Sequence, residues 1–229
     1  VLTWIPWFSF VGFAGIGLWW TRGRVAGVFG ALGVLYFGVL GVWDEGLNTL
    51  ALMSVAVIIA IMIGLPIGVL SSRSDTAQRI IRPVLDAMQT FPGFVYLIPA
   101  TLLFSVGLVP ALIATLIFAL PPVIRATDLG IRDLPPTVID AADMFGATER
   151  QTLLKVRLPL ARPAILVGIN QMINLALSMA VIAALIGAAG LGKEVLDSLR
   201  NLRVGTAAEV GIALVIMAIL LDRFFGGLS

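Results

Sequence analysis

The chain is built from seven apolar stretches, at about residues 3–20, 25–43, 47–70, 84–106, 109–125, 161–186 and 206–222. Each approaches the roughly 20 residues that a helix needs to cross about 30 Å of hydrocarbon. Inside lipid every backbone N–H and C=O must find its partner within the element, so runs of this length fold as helices. The alternating ten-residue segments of a membrane barrel are not visible. Charged residues make up 12% of the 229, hydrophobic ones 59%, and mean hydropathy is +1.06. A soluble domain carries about a quarter charged residues. A water-soluble fold of this composition would expose large apolar patches, which soluble monomers rarely do. The expected architecture is one all-α, polytopic integral membrane bundle with about seven transmembrane helices.

Lys and Arg set its orientation. With alternating loops, Arg22, Arg24, Arg73, Arg79, Arg82, Arg125, Arg132, Arg150, Lys155, Arg157, Arg162 and Arg223 fall on one side. Only Lys193, Arg200 and Arg203 fall on the other. The positive-inside rule makes the richer side cytoplasmic, with the N-terminus outside and the C-terminus inside. Val1 opens directly on an apolar run, without a charged lead and small-residue cleavage site, so no secretory signal peptide is expected. Trp4, Trp7, Trp19, Trp20 and Trp43 cluster at span ends, as an interfacial aromatic belt does.

The chain has neither Cys nor His. Structural and catalytic metal sites draw on Cys, His or clustered carboxylates, and nucleophilic catalysis usually pairs Ser or Cys with a base. A membrane-embedded enzyme is therefore disfavoured, no metal site is expected, and disulfides are impossible. The net charge of +2 sits in short loops, which is a topology signal and not a nucleic-acid footprint.

The longest polar segment, about 126–161, is organised. Pro135 and Pro136 lead into Thr137-Val-Ile-Asp140, a helix-start signal of the Ser/Thr-x-x-acid type. A short helix is expected to stop at Gly146. Thr148-Glu-Arg-Gln151 then offers a second capping box, with a helix running to Leu158-Pro159. Val138, Ala141, Ala142 and Phe145 share one face of the first helix at 3.6 residues per turn. A bent, half-apolar elbow under a bundle suits a docking knob for a soluble partner. A helix pair lying in the lipid interface is the other reading the residues leave open.

Asp140-Ala141-Ala142, then Gly146, Val156 and Leu158-Pro159 resemble the EAA motif of ATP-binding cassette (ABC) importer permeases: Glu-Ala-Ala, three residues, Gly, nine residues, Ile, one residue, Leu-Pro. Asp stands here for Glu and Val for Ile. The segments 81–92, 94–99, 118–125, 155–160 and 175–179 are similar to the permease of the glycine betaine/proline transport system. The resemblance covers roughly residues 43–223. It implies a bundle of the type I importer permease kind. Residues 47–229 would form the permease core, with coupling helices at 137–159, and residues 1–46 would supply two accessory transmembrane helices. It further implies a homodimer in a bacterial inner membrane, joined by two ATPase subunits that carry the ATP and Mg and by an external solute-binding protein. This chain would hold no cofactor and perform no catalysis. The cargo implied is a methylated amine such as glycine betaine, proline betaine, choline or trimethylamine N-oxide. The seven coupling residues implied are Asp140, Ala141, Ala142, Gly146, Val156, Leu158 and Pro159.

Other residues carry open alternatives. Asn170, Asn174 and Ser178 share a face by i, i+4 spacing, with Gln171 beside them, and either line the pathway or act as interhelical glue. Asp86 and Gln89 are further pathway candidates, although Asp86 also stands four residues after Arg82 and can pair with it. Glu209 is expected near the outer surface. Gly64, Pro66, Pro92, Gly93, Pro99, Pro121 and Pro122 interrupt spans, either as bends around a pathway or as ordinary punctuation. Gly187 to Glu194 nearly spells a phosphate-binding loop, but Glu194 stands where a hydroxyl should hold Mg²⁺ and no strand precedes it. Gly190, Gly192, Lys193 and Glu194 are read instead as a Gly-rich turn entering an amphipathic external segment, a candidate outer gate or a plain solvated helix. The rival function class is a secondary transporter or channel driven by an ion gradient, which predicts paired intramembrane acids or a repeat. Neither is visible.

Overall fold

The structure, a computed structural model, describes residues 7–226. Trp4 and the first residues of the expected first span lie outside the described residues. The order is α1 (Trp7–Arg22), α2 (Arg24–Leu40), α3 (Trp43–Arg73), α4 (Asp75–Thr90), α5 (Leu97–Phe104), α6 (Leu108–Arg132), α7 (Pro136–Met144), α8 (Glu149–Thr152), α9 (Leu158–Ala183), α10 (Leu191–Arg200) and α11 (Val204–Gly226). Four continuous helical runs are long and apolar enough to cross a membrane: α3, α6, Glu149–Ile186 and α11. A fifth span is made by α4 and α5 if that bent pair counts as one. At 16 and 17 residues, α1 and α2 are apolar but sit at the short end of the spanning range. The fold class is therefore as expected, while the count of seven spans is not established by length.

The centre is α3 against α6 against α9. Water does not drive these helices together within lipid, so close backbone approach and dense packing must. Gly64 and Gly68, one turn apart on α3, face Val123 and Thr127 of α6 so closely that an added Cβ would lie 2.4 and 2.5 Å from their side chains. Gly168 of α9 approaches Ala126 of α6 in the same way, at 2.3 Å. Around these contacts Met53, Val57 and Ala60 of α3, Val123 and Ile124 of α6, and Met172, Ile173 and Ala176 of α9 form the main core. Gly64 thus serves helix packing.

Three sequence expectations are corrected. The stretch 84–106 is not one straight span. Its polar half belongs to an amphipathic helix that starts earlier, at Asp75, where the Ser74 hydroxyl caps the Ala77 N–H at 3.3 Å. Pro92 then forces Phe91 into extended backbone (φ −74°, ψ 134°), and the two halves meet at 105°. Secondly, the helix beginning at Glu149 does not end at Leu158-Pro159. A π-helical turn over Leu153–Arg157, with the Leu158 N–H bonded to the Leu153 carbonyl, carries it into α9. The wider turn accommodates Pro159, which has no N–H to give. Thirdly, Thr137 is not an N-cap: α7 starts at Pro136, whose fixed φ suits the first helical position.

Candidate functional site: the elbow and the ion-paired end of the bundle

Local chemistry makes the elbow rigid. Pro136 starts α7, and Gly146 ends it in the left-handed region at φ +75°. The Ala147 N–H returns to the Ala142 carbonyl at 3.1 Å and the Gly146 N–H to the Asp143 carbonyl at 2.9 Å. This is a Schellman closure, with glycine at the one position that needs positive φ. Two residues later Thr148 and Gln151 form the reciprocal capping box: Thr148 N–H donates to Gln151 Oε1 at 2.8 Å, and Gln151 N–H to Thr148 Oγ1 at 3.4 Å. Consecutive caps leave the bend little freedom. The sequence-predicted bend at Gly146 and the second capping box are both present.

Most of the elbow faces outward. No residue of α7 is buried, and Met144 and Phe145 at its tip are 89% and 92% exposed. Asp140 and Ala141 are exposed, Ala142 and Val156 half-buried. Leu158 anchors the base, packing with Leu153 against Ile131, Ala161 and Ile165. Pro159 is exposed beside it. Sequence reasoning passed over Met144, although its place two residues before the helix-ending glycine marks it as a tip residue.

Ion pairs tie the helix ends above the elbow. Arg132 at the end of α6 donates through Nε to Asp128 Oδ1 (2.9 Å), through Nη1 to Asp75 Oδ1 (2.7 Å) and through Nη2 to the Ser71 carbonyl (2.7 Å). One guanidinium thereby joins α3, α4 and α6. Gln78 completes the set by donating to Asp128 Oδ2 at 2.9 Å. Arg73 reaches Glu149 of α8 at 2.6 Å. Asp86 pairs with Arg125 of α6 at 2.5 Å. The Arg82 partner suggested by helical spacing is thus displaced by a tertiary one. Only the Asp128–Arg132 spacing in this network was readable as an i, i+4 pair.

The pathway candidates divide into two groups that no hydrogen bond among the described residues joins. Asp86 and Gln89 lie exposed on α4. Asn174 and Ser178 lie exposed on α9, where the Ser178 hydroxyl donates back to the Asn174 carbonyl at 3.0 Å. Asn170 is half-buried, and its Oδ1 is shielded without a partner. At the far end Gly190 and Gly192 are buried and Lys193 is exposed. The Leu191 N–H donates to Thr49 Oγ1 at 2.9 Å, and Thr49 Oγ1 donates to the Glu45 carbonyl at 2.9 Å. Gly190, at φ +138°, sits so tightly on Thr49 that a Cβ there would lie 2.4 Å from its hydroxyl. Gly190 serves docking of the turn onto α3, and Gly192 lets it pack against Ala180 and Val181 of α9, where an added Cβ would lie 2.8 Å from the Ala180 carbonyl.

The family described as the binding-protein-dependent transport system inner membrane component matches residues 56–228, the part of the chain that holds most of the central helices, the elbow and the Gly-rich turn. The chain belongs to this family. Its relatives include the glycine betaine transport system permease protein of Bacillus subtilis (strain 168), 52% identical over 90% of this chain and 73% of that protein. The glycine betaine/proline betaine transport system permease protein of Escherichia coli (strain K12) is 49% identical over 90% of this chain, which spans 58% of that protein's length. A glycine betaine/carnitine transport permease protein of Listeria monocytogenes is 44% identical over 95% of this chain and 78% of that protein. Among solved structures, an inward-facing form of the MetNI methionine ABC transporter superposes with a TM-score of 0.68 at 25% identity, covering 82% of this chain and 92% of the matched one. The inner membrane component thus has a type I permease fold, and α1, α2 and the start of α3 precede the matched family region. Among its described residues, no group of three His, Cys, Asp or Glu side chains is placed to hold a metal.

Proposed function

We propose that the chain is the translocation subunit of an ATP-driven importer for glycine betaine or a related methylated amine, such as proline betaine, choline or trimethylamine N-oxide. A separate ATPase, carrying the ATP and Mg, grips the elbow at 137–159. An external binding protein delivers the solute at the face of α10. The observation that carries this reading is the tip of α7: Met144 and Phe145 project almost fully exposed from a doubly capped bend that runs without interruption into α9. An exposed apolar anchor on a rigid arm is what a soluble partner needs to push on a membrane helix. Asp140, Ala141, Ala142, Gly146, Val156, Leu158 and Pro159 shape and seat that arm.

The permease works as a homodimer, with residues 47–229 as its core and residues 1–46 as accessory helices. Asn174 and Ser178 lie on the open face of α9, where a second copy would enclose them, and with Asn170, Asp86 and Gln89 they line the route. Gly190, Gly192, Lys193 and Glu194 belong to the outer gate. The arginine-rich end faces the cytoplasm, which puts the C-terminal end of α11 inside and the N-terminal end of α1 outside. The permease moves its solute unchanged and does no chemistry on it.

Reconstitution tests this. Proteoliposomes holding the permease and its ATPase, with the binding protein and radiolabelled glycine betaine outside, should accumulate label only when ATP is enclosed. Accumulation driven by an ion gradient without ATP would place the chain among secondary transporters instead.

A further inference from the structure

Two cavities lie between the accessory helices and the core. The first, 280 Å³, is walled by Phe10, Ala14 and Leu18 of α1, Val34 and Phe37 of α2, Trp43 and Leu50 of α3, and Met217 and Leu220 of α11. Its wall is almost wholly carbon. The second, 450 Å³, is lined by Leu18, Val25, Ala26, Phe29, Ile219, Leu220 and Arg223. Leu18 and Leu220 border both, so the two chambers adjoin along one line. That line runs from the Trp43 end of the bundle toward the start of α2 and the end of α11, where Arg24 and Arg223 stand.

The charge distribution along it is one-sided. The inner chamber has no charged wall residue, and the outer one has a single charged wall residue, Arg223, exposed and without an ion pair among the described residues. An apolar slot stays dry and favours hydrocarbon. A guanidinium at its mouth favours a phosphate oxygen, which it can bind with two parallel N–H donors. Apolar length ending in one cationic group is complementary to an amphiphile with an anionic phosphate at one end.

α2 meets α11 directly, because Gly33 lets Ile216 and Leu220 approach until an added Cβ would lie 2.9 and 3.0 Å from them. α1 packs along α2 and approaches α11 directly as well, and it touches α3 where the Phe10 and Trp43 rings meet edge-on at 5.2 Å. Whatever fills the cavity therefore adds to the direct contacts that hold α1 on the core.

We propose that a phospholipid of the leaflet at the arginine-rich end binds here, one acyl chain filling the chamber between α1, α2, α3 and α11 and its phosphate held by Arg223. It acts as a structural lipid that fills the gap these direct contacts leave and strengthens the seat of α1 on the permease core.

Native mass spectrometry of the full permease, purified from membranes of phosphatidylethanolamine and phosphatidylglycerol and washed with excess mild detergent, reads the outcome. Wild-type protein should keep one phospholipid per protomer. Arg223→Gln, an exposed substitution that leaves the helices intact, should lower occupancy about tenfold, as loss of a charge-assisted hydrogen bond does. Ala14→Leu, which fills the inner chamber, should do the same by displacing about two methylenes of chain. Wild-type protein that keeps no lipid overturns the proposal. So does lipid kept equally by both variants, and so does density showing residues 1–6 or a partner chain in the cavity. A folded-state check by size-exclusion profile accompanies each variant, and Arg223→Lys, which keeps the charge, should retain more lipid than Arg223→Gln.

Discussion

Arg73 closes α3 and Glu149 opens α8, and their side chains meet at 2.6 Å. Among the described residues this is the side-chain ion pair that links the elbow to a membrane helix other than the one it continues into. Both side chains are substantially exposed, so the pair adds little to folding stability. Its geometry gives α3 a share in any movement of the elbow. Arg73→Glu should therefore leave expression and ATPase binding unchanged while lowering uptake per ATP hydrolysed. Adding Glu149→Arg should recover it, with a coupling of about 0.5–1 kcal/mol, or roughly two- to fivefold. Uptake per ATP in the four members of this double-mutant cycle is the measurement. Additive losses would show that the two residues act separately.

Gly146 holds φ +75°, with open space where a Cβ would stand. The difficulty with any substitution is thus backbone conformation and not crowding. Forcing an ordinary L-residue into the left-handed region costs about 1–2 kcal/mol, and Asn tolerates it best. Uptake coupled to ATP hydrolysis should fall in the order Gly, Asn, Ala, Val. A bulky Gly146→Trp should hydrolyse ATP without moving solute. Parallel assays of hydrolysis and uptake check the order, and normal uptake by Gly146→Trp would remove the elbow from the coupling route.

How much of this was legible in the sequence follows from how local each signal is. The bend at Gly146 and the Thr148–Gln151 box involve neighbours within five residues, and both are present as read. The Thr137 signal failed because a stronger local one, Pro136 at the first helical position, started α7 before it. Pro92 was visible as a breaker, but the 105° turn also needed the amphipathic run from Asp75, which apolar-run counting ignores. The partner of Asp86 was out of reach. Arg82 satisfied the spacing rule, and only the packing of α4 on α6 brings Arg125, 39 residues away, to the carboxylate. The hydroxyl of Thr49 gave no hint that it would hold a turn 142 residues later.

Phe145 and Met144 are exposed in this chain, so truncating them should not disturb its fold. If they are the anchors of a docked ATPase, their loss should be felt at that interface. Central anchors cost about 2 kcal/mol or more on truncation, roughly thirtyfold in affinity. Phe145→Ala with Met144→Ala should abolish co-purification of the ATPase while the permease keeps its melting temperature. Undiminished co-purification would move the docking surface elsewhere.

Gly68 and Gly211 make a matched pair of tests for packing inside the membrane. A Cβ on Gly68 would stand 2.5 Å from Thr127 Cβ and 2.9 Å from the Ile124 carbonyl, whereas one on Gly211 meets nothing within 4 Å. Gly68→Ala must push α3 away from α6, at a cost of about 1–3 kcal/mol for overpacking. Gly211→Ala removes a helix-interior glycine from α11 and should stabilise by about 0.5–1 kcal/mol. Thermal unfolding in detergent should separate the two in opposite directions. Equal behaviour would mean that the central helices have more slack than their approach implies.

Thr49 offers the sharpest local test at the far end. Its Oγ1 accepts the Leu191 N–H and passes its own proton to the Glu45 carbonyl, so one hydroxyl satisfies a buried donor and ties the Gly-rich turn to α3. Thr49→Val keeps the shape and removes the acceptor. The Leu191 N–H, at a residue with no exposed surface, would then be left unpaired, at about 1–3 kcal/mol. The turn can escape that penalty by lifting off α3, since Leu191 starts a short helix and is not locked inside a long one. Amide exchange over residues 187–194 should accelerate in Thr49→Val, stay slow in Thr49→Ser, and remain unchanged over α6 and α9 in both. If this turn is also part of an outer gate, Thr49→Val should raise ATPase activity in the absence of the binding protein, because the closed arrangement has lost its tie. Faster exchange without that rise would leave the turn a structural clasp only.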